Sequence, residues 1–194
     1  MTGAPPNRPG QLVCVVGPSG AGKDTLLHWL VAHWPGPAPL HWARRTITRP
    51  ADAGGEPHEA MDTPAFERLR DANAFAWHWT AHGLHYGVRH TELQGLTSGA
   101  CVLLNGSRGH LGAATARFPG MAVLHITASA DTLTARLQAR QRESEEDIRE
   151  RVLRTQQLPP LVHPLCLTVH NDGPLDEAGQ QALGWLHALL SGSP

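Results

Sequence analysis

Residues 11–34 read QLVCVVGPSGAGKDTLLHWLVAHW, and this stretch decides the fold. Gln11 to Gly17 is an apolar run closing on a Gly-rich turn, and from Lys23 to Trp34 apolar residues return at helical spacing (Leu26, Leu27, Leu30, Val31) before Pro35. The order is strand, loop, helix. Within the loop, Gly17, Pro18, Ser19, Gly20, Ala21, Gly22 and Lys23 spell glycine, four residues, glycine, lysine, a phosphate-binding signature in the strand-to-helix context it needs. Glycines let successive backbone N–H groups turn inward around an anion, the helix start adds the positive end of its dipole, and Lys23 can bridge two neighbouring phosphates. The ligand this chemistry predicts is ATP with Mg2+. Where a Ser or Thr usually holds the metal after the lysine, the chain has Asp24, then Thr25. We expect Asp24 to hold Mg2+ directly or through a water and Thr25 to reach a phosphate oxygen, so both are candidate metal residues; a plain helix-start role for Asp24 is the alternative.

Outward from the loop, strands and helices alternate. Cys101 to Asn105 reads as a buried strand, followed by a helix from Arg108 to Arg117; Met121 to Thr127 is a third strand, feeding a helix from Asp131 to Gln141. Ser144 and Asp147 form a capping box opening another helix, with Glu145 and Glu146 in its first turn. Leu165 to Val169 is the last strand and Leu175 to Leu190 the last helix. This alternation predicts an α/β fold with a central parallel sheet flanked by helices. Residues 38–84 differ: Arg, Trp and His mix with Pro50, Pro57 and Pro64, and one helix, Pro64 to Asp71, stands out. We expect a single domain with core segments 11–37 and 99–190 and a small inserted lobe over about 38–90.

At 194 residues, 41% apolar and 17% charged, the chain has the composition of a globular domain. A net charge of −1 without a Lys/Arg block gives no footprint for a nucleic-acid backbone. No run approaches the roughly 20 apolar residues of a membrane span, and the polar, Pro-rich start is unlike a secretory signal, so a cytoplasmic location is expected. Cys14, Cys101 and Cys166 each lie in a short apolar run and are expected as reduced core residues. The 13 histidines are scattered without ligand spacing. Trp77 and Trp79 alternate with His78 as in a half-buried strand, where packing is as good a reading as substrate stacking; a surface role is the default for His78, His82 and His85.

Several landmarks follow the loop in order: RTITRP (45–50), FAWHWTAHGLHYG (75–87), CVLLNGSR (101–108), RLQARQR (136–142) and NDG (171–173). With them the chain resembles the guanylate kinase group of P-loop kinases over roughly residues 11–190. That resemblance implies a core sheet, an acceptor-binding lobe and an Arg-rich lid, here about 136–151. Three positions that read guanine in guanylate kinases, a Glu, a Ser and an Asp, are Trp77, Val88 and Ser107 here, so a guanine edge would lose its partners at roughly 1–3 kcal/mol per buried group. Arg49 and Tyr86 match phosphate-binding positions; a second family Arg is Asp52. The combination GPSGAGKDT, ITRPADAG, HGLHYGV and LLNGSR resembles the ribose 1,5-bisphosphate phosphokinases of bacterial phosphonate breakdown. This implies transfer of the γ-phosphoryl of ATP to the 1-phosphate of ribose 1,5-bisphosphate, giving 5-phosphoribosyl 1-diphosphate. Arg45, Arg49, Tyr86, Asn105, Ser107 and Arg108 are then candidates for the acceptor, as Arg and small polar donors suit a sugar carrying two phosphates.

For catalysis, Lys23, Arg140 and Arg151 are the candidates. Arg136 and Arg140 share a helix face, and Arg140 with Arg142 falls where the family has its lid. A solvated surface paired with glutamates is the rival reading for each arginine. Asn171 and Asp172 match the family's adenine-holding loop, with an ordinary turn as the rival. Two other functions share these features: a nucleoside monophosphate kinase of altered base preference, and a guanylate-kinase-like binding module without activity, for which an intact phosphate loop has no use. The oligomeric state is not readable from the sequence.

Overall fold

The computed structural model describes residues 9–36, 38–51, 56–141 and 144–192; Asp52 and Arg142 lie outside them. The fold is α/β. Its main sheet has five strands in the order β2-β7-β1-β8-β9, with β1 at Gln11–Val16, β2 at Leu40–Trp42, β7 at Cys101–Asn105, β8 at Ala122–Thr127 and β9 at Cys166–His170. β2 runs parallel to β7, and β8 parallel to β9 with Val123 opposite Cys166 and Thr127 opposite His170. β1, β7 and β8 carry nearly uninterrupted apolar side chains because both faces of a parallel sheet are covered. The phosphate loop leaves the C-terminal end of β1, where open parallel sheets place their ligands.

The chain divides into two compact units, one made of Met1–Val13 and Pro35–Met121, the other of Cys14–Trp34 and Ala122–Pro194. β2 pairs with β7 in the main sheet.

In the second unit, α1 (Lys23–Ala32) buries Leu26, Leu27, Trp29 and Leu30. Val31, expected on that face, is 46% exposed, and Trp29 takes its place. The reason is tertiary: α6 (Leu175–Ser191) brings Gly179 against the Trp29 ring, and Asp176 Oδ1 accepts the indole N–H at 2.7 Å. Helix α4 (Ala130–Ala139) is capped by Ser129 and ends earlier than expected, since Gln141 has a positive φ. Helix α5 (Glu145–Gln156) starts at the expected capping box: Ser144 Oγ accepts the Asp147 N–H and donates to its carboxylate at 2.6 Å. Those hydrogen bonds hold the Asp147 carboxyl below its usual pKa.

In the first unit, residues 45–89 hold more sheet than their sequence suggests. Four strands are ordered β4-β3-β6-β5: β3 (Arg45–Ile47), β4 (Glu59–Ala60), β5 (Phe75–Ala81) and β6 (Leu84–Arg89). β5 and β6 form a hairpin whose two turn residues, His82 and Gly83, have φ of 51° and 71°, the primed-turn geometry that matches strand twist. Helix α2 (Thr63–Asp71) begins where Asp62 Oδ1 accepts the Ala65 N–H at 2.7 Å. Residues 108–117 are two pieces, a 3-10 turn at Arg108–His110 and then α3 (Leu111–Arg117). Cys14 and Cys101 are buried as expected, whereas Cys166, on the edge strand β9, is half-buried.

Candidate active site

The phosphate loop is held by its carbonyls. Gly22, with φ of 86°, caps α1 without a side chain, a conformation that disfavours any residue with a Cβ. A Cβ there would overlap Asn171 Nδ2, and one at Gly17 would overlap the Ile126 carbonyl oxygen. Asn171 is 3% exposed; its backbone N–H donates to Thr127 O and its Nδ2 to Ala21 O, each at 2.8 Å. Arg136 Nη1 approaches the carbonyls of Gly20 and Ala21 at 3.5 Å. Lys23 Nζ donates to Gly17 O at 2.8 Å and Pro18 O at 2.9 Å, which holds the ammonium over the loop. At the start of α1, Asp24 is half-buried and Thr25 exposed. The first N–H groups of a helix have no partners within it, so they are available to an anion.

Beside this loop is a cavity of about 420 Å³, lined in part by Gly20, Gly22, Thr25, Arg136, Arg140 and Asn171. That volume suits a nucleotide-sized ligand. Arg140 is brought there; Arg151, on α5, is not among the lining residues. Asp172 is engaged with the start of α4, where its carboxylate accepts the Ser129 N–H at 2.8 Å, and that bond, with the Thr132 and Ser129 hydroxyls, lowers its pKa. Among the described residues no group of three or more His, Cys, Asp or Glu could hold a metal ion. Mg2+ bound through substrate phosphates needs only one or two protein oxygens, so Asp24 and Thr25 fit it.

The first unit gathers a second set of residues. Arg45 pairs with Glu56, and the other Glu56 oxygen accepts the Asn105 Nδ2 at 2.7 Å. Glu56 and Asn105 are 5% and 3% exposed. The Arg45 guanidinium lies 5.0 Å from the Tyr86 ring centre and 5.7 Å from that of Trp79, and those two rings stack at 5.2 Å, with Trp77 behind Trp79 at 4.3 Å. Trp77 therefore packs within the four-stranded sheet. Arg49 Nη2 is 3.5 Å from His58 Nδ1. Ser107 Oγ contacts His110 Nδ1 at 3.2 Å, and Arg108 opens the 3-10 turn. His78 and His82 are exposed, and His85 stacks on Phe66.

No protein-family model matches the chain. Among curated proteins, it is 40% identical over 189 residues to a ribose 1,5-bisphosphate phosphokinase PhnN of Rhizobium etli, covering 94% of this chain and 92% of that protein. It is 44% identical over 181 residues to the PhnN of Chromobacterium violaceum, covering 93% and 95%. The chain belongs to the ribose 1,5-bisphosphate phosphokinase PhnN family. Among solved structures, a guanylate kinase from Anaplasma phagocytophilum superposes with a TM-score of 0.63 at 16% identity, covering 93% of this chain and 86% of that one, a likeness of fold alone.

In this PhnN-family chain, Trp77 and Val88 are cross-strand partners and both are buried, at 8% and 0% exposure. Ser107, the third of these positions, contacts His110. Residue-by-residue reading missed Glu56. It is a single acidic residue between Gly55 and Pro57, with no periodicity to give it a direction, and only the approach of β3 to the end of β7 shows what it binds. Arg136 was legible as sharing a face with Arg140, but its contact with the loop carbonyls was not.

Proposed function

We propose that this protein transfers the γ-phosphoryl group of ATP to ribose 1,5-bisphosphate, yielding 5-phosphoribosyl 1-diphosphate and ADP. The reading rests on one observation, whole-length identity of 40–44% to proteins named for that kinase activity. An oxygen of the acceptor's 1-phosphate forms the new bond to the γ-phosphorus, the bond from that phosphorus to the β,γ-bridging oxygen breaks, and its electron pair leaves on ADP. The attacking oxygen is already anionic near neutral pH, so positioning and charge neutralisation do the work, and a strong base has no part.

Lys23, whose ammonium is held at the loop by Gly17 O and Pro18 O, neutralises charge on the β- and γ-phosphates. The loop N–H groups and the start of α1 bind the same phosphates, and Arg140, lining the adjoining cavity, shields charge developing on the transferred group. Arg151 is the second candidate for that role. Asn171 braces the loop from the nucleotide side, and Asp172 orders the turn behind it. Asp24 and Thr25 would hold Mg2+, which neutralises phosphate charge and orients the leaving group. On the acceptor side, Arg45, Arg49, Tyr86, Asn105, Ser107 and Arg108 bind the sugar phosphates. The buried Trp77–Val88 pair removes two polar positions that a guanine base would use.

ADP release measured with ATP, Mg2+ and ribose 1,5-bisphosphate, against GMP, AMP and no acceptor, tests this. Turnover is expected with the sugar bisphosphate alone and should vanish in Lys23→Ala. Turnover with GMP instead would move the protein to the nucleotide kinases.

A further inference from the structure

Glu56 is a buried carboxylate in a segment without regular structure, yet its two oxygens are divided between an arginine on β3 and an asparagine at the end of β7. Packing alone gives no reason for it. Replacing a buried ion pair by apolar side chains of similar volume is often neutral or stabilising, so stability alone does not account for the group. What it arranges here is Arg45. Glu56 takes the Nε and Nη2 side of the guanidinium, and the Tyr86 and Trp79 rings restrict it out of plane. Nη1 then keeps its donors, with no hydrogen bond among the described residues. A guanidinium gripped along one edge and against its face presents its remaining nitrogen in a single direction.

We propose that Glu56 is a positioning residue for the acceptor: by clamping Arg45 and Asn105 it aims Arg45 Nη1 at an anionic oxygen of the phosphorylated sugar. This rests on the kinase reading above. Two effects of the carboxylate compete. Its charge opposes the approach of a phosphate, while its grip holds the guanidinium in place. Both Glu56 and Arg45 are largely shielded, at 3% and 12% side-chain exposure, so the grip is persistent. A misplacement of about 1 Å can cost around a hundredfold in rate, so the grip decides.

The test compares wild type with Glu56→Gln and Glu56→Asp, measuring kcat and KM for ribose 1,5-bisphosphate, Kd for ATP and the thermal midpoint. Glu56→Gln should lower kcat/KM for the acceptor at least tenfold while ATP binding changes less than twofold, and Glu56→Asp should recover part of the loss. Equal losses for both substrates, in step with a lowered thermal midpoint, would make the residue merely structural and overturn the proposal. A lower acceptor KM at unchanged kcat would overturn it too, because charge would then outweigh grip. Should Glu56→Gln not fold, Glu56→Asp is read by the same criteria; if neither folds, the role is structural. If the wild type does not turn over the sugar bisphosphate, the kinase assignment fails on its own, and the variants are compared on whichever acceptor it does use.

Discussion

Replacing Gly22 by alanine would strain the phosphate loop at two points. At φ of 86° the residue sits in the left-handed region, which costs an L-amino acid with a Cβ roughly 1–2 kcal/mol. The new Cβ would also overlap Asn171 Nδ2, the atom that donates to Ala21 O at 2.8 Å, and a displaced buried hydrogen bond costs about 1 kcal/mol. The sum is about 2–3 kcal/mol. For a chain of this length each kcal/mol moves the thermal midpoint by about 2–4 °C, so a fall of roughly 4–12 °C is expected. Because Asn171 also braces the loop carbonyls, ATP affinity should fall at least tenfold. Thermal unfolding followed by circular dichroism, and ATP titration by calorimetry, read the two effects. A variant with an unchanged midpoint and unchanged ATP affinity would refute the reasoning, since it would show that neither the left-handed backbone nor the Asn171 brace is required.

Gly184 lies inside α6 with open space where a Cβ would stand, so Gly184→Ala should raise stability by about 0.5–1 kcal/mol, measured by the same unfolding experiment. Glu59 accepts hydrogen bonds from Arg89 Nε at 2.8 Å, Arg89 Nη2 at 2.7 Å and Thr46 Oγ1 at 2.6 Å, and Arg89 foremost holds its carboxyl below the usual value of 4.5. A lowered carboxylate contributes stability that is complete above its unfolded-state pKa and is lost as pH falls through the folded one. Glu59→Gln should therefore be less stable than wild type at pH 7, with the difference shrinking below about pH 4.5 in denaturant titrations; a gap independent of pH would contradict this ion pair.

Long elements with one period were legible in the sequence. The apolar runs of β1, β7 and β8 and the helical spacing of α1 and α6 appear close to where they were expected, because the apolar pattern that marks the faces each one buries lies wholly within its own segment. The Ser144–Asp147 capping box was readable for the same reason, as its contacts span only three residues. Short strands were not. β3 and β4 are stabilised by neighbours distant in the chain, Arg45 opposite Val88 and Thr46 opposite Glu59, and a segment of two or three residues carries too little pattern to announce such a partner. The His82–Gly83 turn was hidden because His-Gly is not one of the Asn-Gly, Asp-Gly or Gly-Gly pairs that signal a two-residue hairpin turn.

For the site the boundary is similar. Local chemistry determined the phosphate loop: seven consecutive residues supply the glycines, the lysine and the helix start, so their order alone specifies an anion site. Tertiary structure decided what holds and completes it. Asn171 reaches Ala21 across 150 positions of sequence and Glu56 reaches Asn105 across 49, and a single side chain in a loop shows neither which backbone carbonyl it will find nor which charge it will meet. Those partners exist only after the strands have set their register, since a hydrogen bond is made over about 3 Å and sequence separation says nothing about distance at that scale.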